Sequence, residues 1–267
     1  MRVETDSLNK RFGGVVALEN VTLDFPAGTV TAVIGPNGAG KTTLFNVMAG
    51  FLKPDSGSVL LFNDEQNGSL AKSTGTNHCT NIVGFKPHEI ANKGVGVLFQ
   101  DVRVFKKMSA LENVAAGVKN QQGENPLKSL FCPRRIHSQE NTVMTKARDL
   151  LNYVGLLDKS HLLAEQLSYG QQKLLAIARL LAGDAKVLLL DEPTSGVHPD
   201  MIEKLIDLIQ GMAYSQQRVV VMIEHNLNIV KRLGDWVYLM AHGRVEVFGK
   251  ATEVLRDSTL REMFPTL

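Results

Sequence analysis

Two rhythms of apolar residues run along this chain. Positions 21–25 alternate apolar and polar, as a strand with one wet face does. Pro26-Ala27-Gly28 turns the chain, and 29–34 is a second strand that empties into a glycine-rich loop. Residues 41–49 then take a helical pattern, and 57–62 a further strand. Positions 187–190 and 219–223 are unbroken apolar runs of strand length, which suit a sheet covered on both faces. The helical pattern 201–209 lies between them, so the order is strand, helix, strand, as in a βαβ unit. A helical pattern at 227–233 follows. Strands at 236–240 and 244–248 then flank His242-Gly243, a hairpin turn. The class is α/β.

The middle of the chain reads differently. Residues 63–81 are rich in Asn, Ser, Thr and Gly and have no apolar period, which predicts a surface insertion. A short apolar strand at 95–99 precedes a mainly helical region, roughly 101–166. There Val143, Ala147, Leu150, Leu151 and Val154 fall on one helical stripe. Residues 119–138 are polar and contain prolines, and are expected to interrupt the helices as a loop. Positions 170–182 predict a strong helix with Leu174, Leu175, Ala178 and Leu181 on one face. No internal repeat and no clean linker divide the chain, so 1–267 is expected to be one domain.

Composition narrows the classes. Hydrophobic residues make up 44% and charged residues 21%, ordinary globular usage that argues against disorder. The net charge of +2 is too weak to argue for nucleic acid by itself. The basic stretch 128–135 is expected to be a solvated loop, the other reading being a contact with lipid headgroups or RNA. Cys79 and Cys132 lack metal-ligand spacing and are expected to be reduced thiols of a cytosolic protein. The first residues hold no apolar signal core. The most apolar region, 174–190, is broken by Arg179, Asp184 and Lys186, so the chain is not expected to cross a membrane.

Chemistry concentrates in three places. Gly35-Pro36-Asn37-Gly38-Ala39-Gly40-Lys41-Thr42 matches G-x-x-x-x-G-K-[ST], with a strand before it and a helix after it. Its glycines allow several backbone N–H groups to face one anion, and the helix adds its positive end. Lys41 is expected to reach the β- and γ-phosphates, and Thr42 to offer a hydroxyl to Mg²⁺. Asp191 and Glu192 end the apolar run 187–190, where one carboxylate can hold Mg²⁺ and the next can polarise a water. These two motifs leave kinases, GTPases and motor proteins open. The third is Leu167-Ser168-Tyr169-Gly170-Gln171-Gln172, which opens a long helix with a natural N-cap, Ser168, and so offers a second anion site.

Leu-Ser-x-Gly-Gln ahead of an aspartate-tipped strand resembles the signature of ABC (ATP-binding cassette) ATPases. Gln100 after the strand 95–99 resembles that family's Q-loop glutamine, and His225 after 219–223 its switch histidine. Residues 193–199 resemble the D-loop, and Phe12 stands where the family stacks an aromatic on adenine. The motifs keep the family's order over essentially the whole chain. The stretches Arg11-Phe12-Gly13-Gly14, Phe99 to Phe105 and Ile223-Glu224-His225-Asn226 most resemble ATPases of branched-chain amino acid and urea importers. Lipopolysaccharide-export ATPases are similar in layout but less so around Gln100. One departure is His198, at the D-loop position where the family carries Asp.

The resemblance implies a P-loop NTPase cassette with a mixed central sheet, an antiparallel β part and a helical subdomain. It implies ATP and Mg²⁺ as ligands. Catalysis would fall to Glu192, His225 and Gln100, the metal to Thr42, Asp191 and Gln100, and the nucleotide to Phe12, Gly35–Thr42 and Thr43. Ser168, Gly170 and Gln171 would meet the γ-phosphate held by a second cassette. Polytopic permease chains and, indirectly, a solute-binding protein would complete a transporter at the inner face of the cell membrane. The alternatives are a lipid exporter and a soluble ABC ATPase working on DNA or ribosomes. The absence of sustained heptads and the single phosphate loop count against the soluble class, and no nucleic-acid partner is expected.

Overall fold

The computed structural model describes residues 1–62, 79–119, 133–257 and 260. The expected insertion over 63–78, the basic stretch as far as 132, and Cys132 lie outside the described residues. Those residues form two compact units. One comprises 1–97, 186–193 and 206–267; the other comprises 98–185 and 194–205.

The first unit holds two sheets. The strands β1 (Arg2–Phe12), β2 (Val15–Phe25), β3 (Thr29–Ile34), β4 (Ser56–Phe62), β5 (Cys79–Asn81) and β6 (Val95–Leu98) come first in the chain. The strands β7 (Val187–Asp191), β8 (Val219–Ile223), β9 (Trp236–Ala241) and β10 (Arg244–Lys250) follow. The smaller sheet runs β2-β1-β4-β5, all antiparallel. The larger runs β10-β9-β3-β8-β7-β6 and is mixed: β3 lies parallel to β8 and β9, β7 lies parallel to β8, and β10 returns antiparallel to β9. Every residue of β8, and every residue of β7 but Asp191, is buried, as their unbroken apolar runs require.

Both sheets share one core, which includes Val3, Leu8, Phe25, Val33, Leu44, Leu61, Leu189 and Val221. Each such aliphatic side chain withdrawn from water contributes about 1.5–3 kcal/mol, so burial rather than local propensity holds the strand ends in place. Tyr238 ties the sheets further. Its hydroxyl accepts from the Asp24 amide at 3.0 Å, and its ring meets Phe25 edge-on.

The second unit is helical. Helices Ala110–Ala115, Pro133–Tyr153 and Tyr169–Ala182 pack on one another. Val143, Ala147, Leu151 and Val154 are buried as the stripe predicts, with Leu150 at its margin. Among the described residues, no helix is long and apolar enough to cross a membrane.

Three local expectations are corrected. Residues 133–138, expected as loop, begin the helix Pro133–Tyr153; proline suits a first turn, where its missing N–H has no partner to lose. Cys79–Asn81, expected in the insertion, pairs with β4 as an edge strand. The start of the region read as mainly helical, 101–109, forms no helix. Asn113 holds that stretch instead: its side-chain oxygen accepts from the Phe105 amide, and its NH₂ donates to the carbonyls of Phe105, Met108 and Ser109.

Candidate functional site

β3 ends at Ile34, and the chain turns through Gly35–Gly40 into the helix Lys41–Met48. Two glycines of the loop are compulsory. Gly35 has φ +146°, and a Cβ there would stand 2.1 Å from the Met240 carbonyl oxygen. Gly40 has φ +101°, and a Cβ there would stand 2.3 Å from the Ala17 carbonyl oxygen. Gly38, at φ +80°, has open space around it, so the crest of the loop can approach a ligand. Asn37 and Thr42 are exposed, Pro36 and Thr43 are half-buried, and Ala39 is buried. The helix starts from Gly40 without a side-chain cap, so its first N–H groups receive no acceptor from that residue.

Lys41 is buried, and its ammonium curls back on its own loop. It donates to the Gly35 carbonyl at 2.7 Å and the Pro36 carbonyl at 2.8 Å. Burial pushes its pKa down, while the nearby charges of Glu192 and Asp191 hold it up. Those two carboxylates at the tip of β7 thus favour its charged form.

That tip is unusual. Asp191 pairs in register with Ile223 of β8, and the Glu192 amide donates to the Ile223 carbonyl at 3.0 Å. Glu192 has φ +45°, a left-handed backbone rare for a non-glycine residue and of a kind that clusters at functional sites. His225 follows β8, and its Nε2 lies 3.0 Å from Glu192 Oε1. Sequence order nominates the phosphate loop, Asp191, Glu192 and His225 separately; the first unit brings them together. Phe12 is half-exposed at the Gly13-Gly14 turn, with the Lys10 ammonium 5.6 Å from its ring centre.

The second unit carries Gln100, Ser168, Gly170 and Gln171. Ser168 caps the helix Tyr169–Ala182 as its position predicts: its hydroxyl accepts from the Gln171 amide at 3.4 Å, and the Gln171 side chain accepts from the Ser168 amide at 3.0 Å. Gly170 is buried, and a Cβ there would meet Val197 Cγ1 at 3.3 Å. A side chain there would press on Val197 from the inner side of the helix. His198, exposed, lies 3.4 Å through Nδ1 from Asp200.

Sequence reasoning missed Asn113 and Lys173. Both are polar residues within helices that the sequence does not single out, yet both are fully buried.

The oxygen chemistry of Thr42 and Asp191 suits Mg²⁺, a hard cation that takes one or two carboxylates and completes its shell with phosphates and water. Among the described residues there is no cluster of three or more His, Cys, Asp or Glu placed to hold a metal ion.

Comparison with known proteins identifies the family. Residues 18–195 match the family model for the ABC transporter. The high-affinity branched-chain amino acid transport ATP-binding protein BraF of Pseudomonas aeruginosa is 34% identical over 256 residues, 96% of this chain and 94% of that protein. The corresponding protein LivG of Escherichia coli is 31% identical over 241 residues, 90% of this chain and 88% of that one. Among solved structures, an ATP-binding cassette of an ABC transporter in its ADP conformation superposes with a TM-score of 0.80 at 32% identity, over 99% of each chain. A phosphate loop, an aspartate-tipped strand, a strained glutamate on a histidine and this full-length likeness lead to one conclusion: the chain belongs to the ABC transporter family, as an ATP-binding cassette.

Proposed function

We propose that this chain is the ATP-hydrolysing subunit of an importer for branched-chain amino acids. The observation that carries the substrate class is the near full-length likeness to two proteins named for that transport. The reaction is ATP plus water to ADP plus phosphate.

The residues divide the work. The backbone of Gly35–Gly40 and the Lys41 ammonium receive the phosphates, and Phe12 receives the adenine face. Thr42, Asp191 and Gln100 would hold Mg²⁺, which supplies positive charge against the phosphate oxygens when bound. Glu192 orients the attacking water and takes its proton, and His225 holds the Glu192 carboxylate in place. Phosphoryl transfer to water asks the protein mainly for alignment and charge, which these groups provide.

Ser168, Gly170 and Gln171 serve the γ-phosphate of a second cassette, identical or homologous, so two nucleotides close the pair head to tail. The Gln100 loop passes that closure to polytopic permease chains, and a solute-binding protein delivers the cargo. The subunit is peripheral, on the cytoplasmic face of the inner membrane, and 1–267 works as one ATPase domain.

The test is uptake of labelled leucine by cells carrying the intact transporter, with this subunit either wild type or Lys41→Ala. Uptake should need the wild-type subunit and be competed by valine and isoleucine. Competition by urea alone, or uptake indifferent to Lys41, would refute the assignment.

A further inference from the structure

Tyr169 occupies the unspecified position of Leu-Ser-x-Gly-Gln and is 40% exposed, so it is not core filler. Three contacts converge on it, all within the second unit. Its hydroxyl donates to the Gln100 backbone carbonyl at 3.0 Å. Its ring lies against Gly196, where a Cβ would stand 3.1 Å from Cε1 in a residue already at φ +69°. One turn along the helix, the Lys173 ammonium sits 5.4 Å from the ring centre and donates to the Ser195 carbonyl at 2.8 Å.

Lys173 is fully buried. A buried ammonium is costly unless its hydrogen bonds and nearby π-electrons replace water, so its place is narrowly set. Lys173 thereby anchors the Ser195-Gly196 loop under the Tyr169 ring, and the ring's far end anchors Gln100. Gln100 itself is exposed and follows the end of β6, with no helix of its own to hold it. Farther along the same stretch, Arg103 stacks its guanidinium 3.6 Å over the Phe99 ring, and the Arg103 carbonyl accepts from Arg179.

We propose that Tyr169 is a positioning residue for ATP hydrolysis: its phenol fixes the Gln100 backbone to the helix Tyr169–Ala182 and to the Ser195-Gly196 loop. This rests on the reading of Gln100 as a group that meets the nucleotide. Tyr169 touches no reacting atom and acts only through where it puts Gln100. A side chain too short to span from the helix to the Gln100 carbonyl could not do this, and phenylalanine would keep the ring contacts while losing the bond.

The experiment is a double-mutant cycle in the full chain, with Tyr169→Phe, Gln100→Ala and both together, reading kcat and KM for Mg-ATP hydrolysis. Tyr169→Phe should lower kcat about fivefold, the size of one net hydrogen bond, and leave KM unchanged. Gln100→Ala should lower kcat at least as much, and adding Tyr169→Phe to it should lower kcat no further. The carbonyl that Tyr169 holds survives in Gln100→Ala, so any effect of the phenol on folding persists in both backgrounds. Only a catalytic effect exerted through the Gln100 side chain disappears. Wild-type kcat in Tyr169→Phe, or losses that multiply in the double variant, would overturn the proposal while leaving the role of Gln100 standing. Wild-type kcat in Gln100→Ala would instead remove that role, and the proposal with it.

Discussion

His225 Nε2 lies 3.0 Å from Glu192 Oε1, and Glu192, in a left-handed backbone, donates its amide N–H in a hydrogen bond to the Ile223 carbonyl. The histidine and the glutamate follow adjacent parallel strands, so the register of β7 on β8 sets their separation. The imidazole engages one oxygen of the carboxylate and so fixes the orientation of the group.

If that is what His225 does, His225→Ala should leave ATP binding intact and lower kcat about 100-fold, the low end of what positioned acid–base groups contribute. Phosphate release and fluorescent-nucleotide binding, measured on the same preparation, separate the two effects. Equal losses in both would assign His225 to binding instead.

The glycines of the phosphate loop should divide into two kinds. Gly35→Ala drives a methyl to 2.1 Å from the Met240 carbonyl oxygen, so the loop must rebuild. That variant should melt well below wild type and lose ATP binding. Gly38→Ala meets no atom within 4 Å and bears only the strain of φ +80°, about 1–2 kcal/mol. Its melting temperature should fall by a few degrees. Thermal melts of the two variants side by side test the distinction.

Alkaline stability should carry the mark of Tyr214. Its hydroxyl bonds the Asp235 carboxylate at 3.1 Å, in a turn that also receives the Val30 amide on Asp235. Burial, then the Asp235 charge, raise its pKa from an ordinary 10.0 to about 12. The folded state thus holds this proton more tightly than the unfolded chain. The stabilisation is full below pH 10 and is lost as pH climbs from 10 toward about 12. Because Tyr214 is partly exposed, solvent screens part of the effect. Tyr214→Phe should therefore flatten the fall in melting temperature across that window. An identical alkaline profile in the two proteins would contradict the coupling.

Much of the fold is legible in the order of residues alone. The strands β7, β8 and β9, and most of β3, announce themselves through apolar runs, because burial on both faces leaves few polar positions to confuse the period, while β10 shows instead as an alternation after a hairpin turn. The phosphate loop and the Ser168 cap are local chemistry, written in adjacent residues. β1 is not legible: Ser7, at φ +49°, sits in a register shift that breaks the alternation between Thr5 and Leu8. The contact of His225 with Glu192, the burial of Lys173 against Ser195 and the bond from Tyr169 to Gln100 join residues 33, 22 and 69 positions apart. No local pattern encodes them; they follow from strand register and helix packing.

The central claim is that Glu192 performs the chemistry while the loop around Lys41 performs the binding. The direct measurement is single-turnover hydrolysis of Mg-ATP by Glu192→Gln beside wild type, with bound nucleotide recovered and identified. The amide keeps the shape but cannot take a proton, so the variant should bind ATP with near wild-type affinity. It should return that ATP uncleaved, with turnover lowered about 100-fold or more. Cleavage of bound ATP by Glu192→Gln at the wild-type rate would contradict the account.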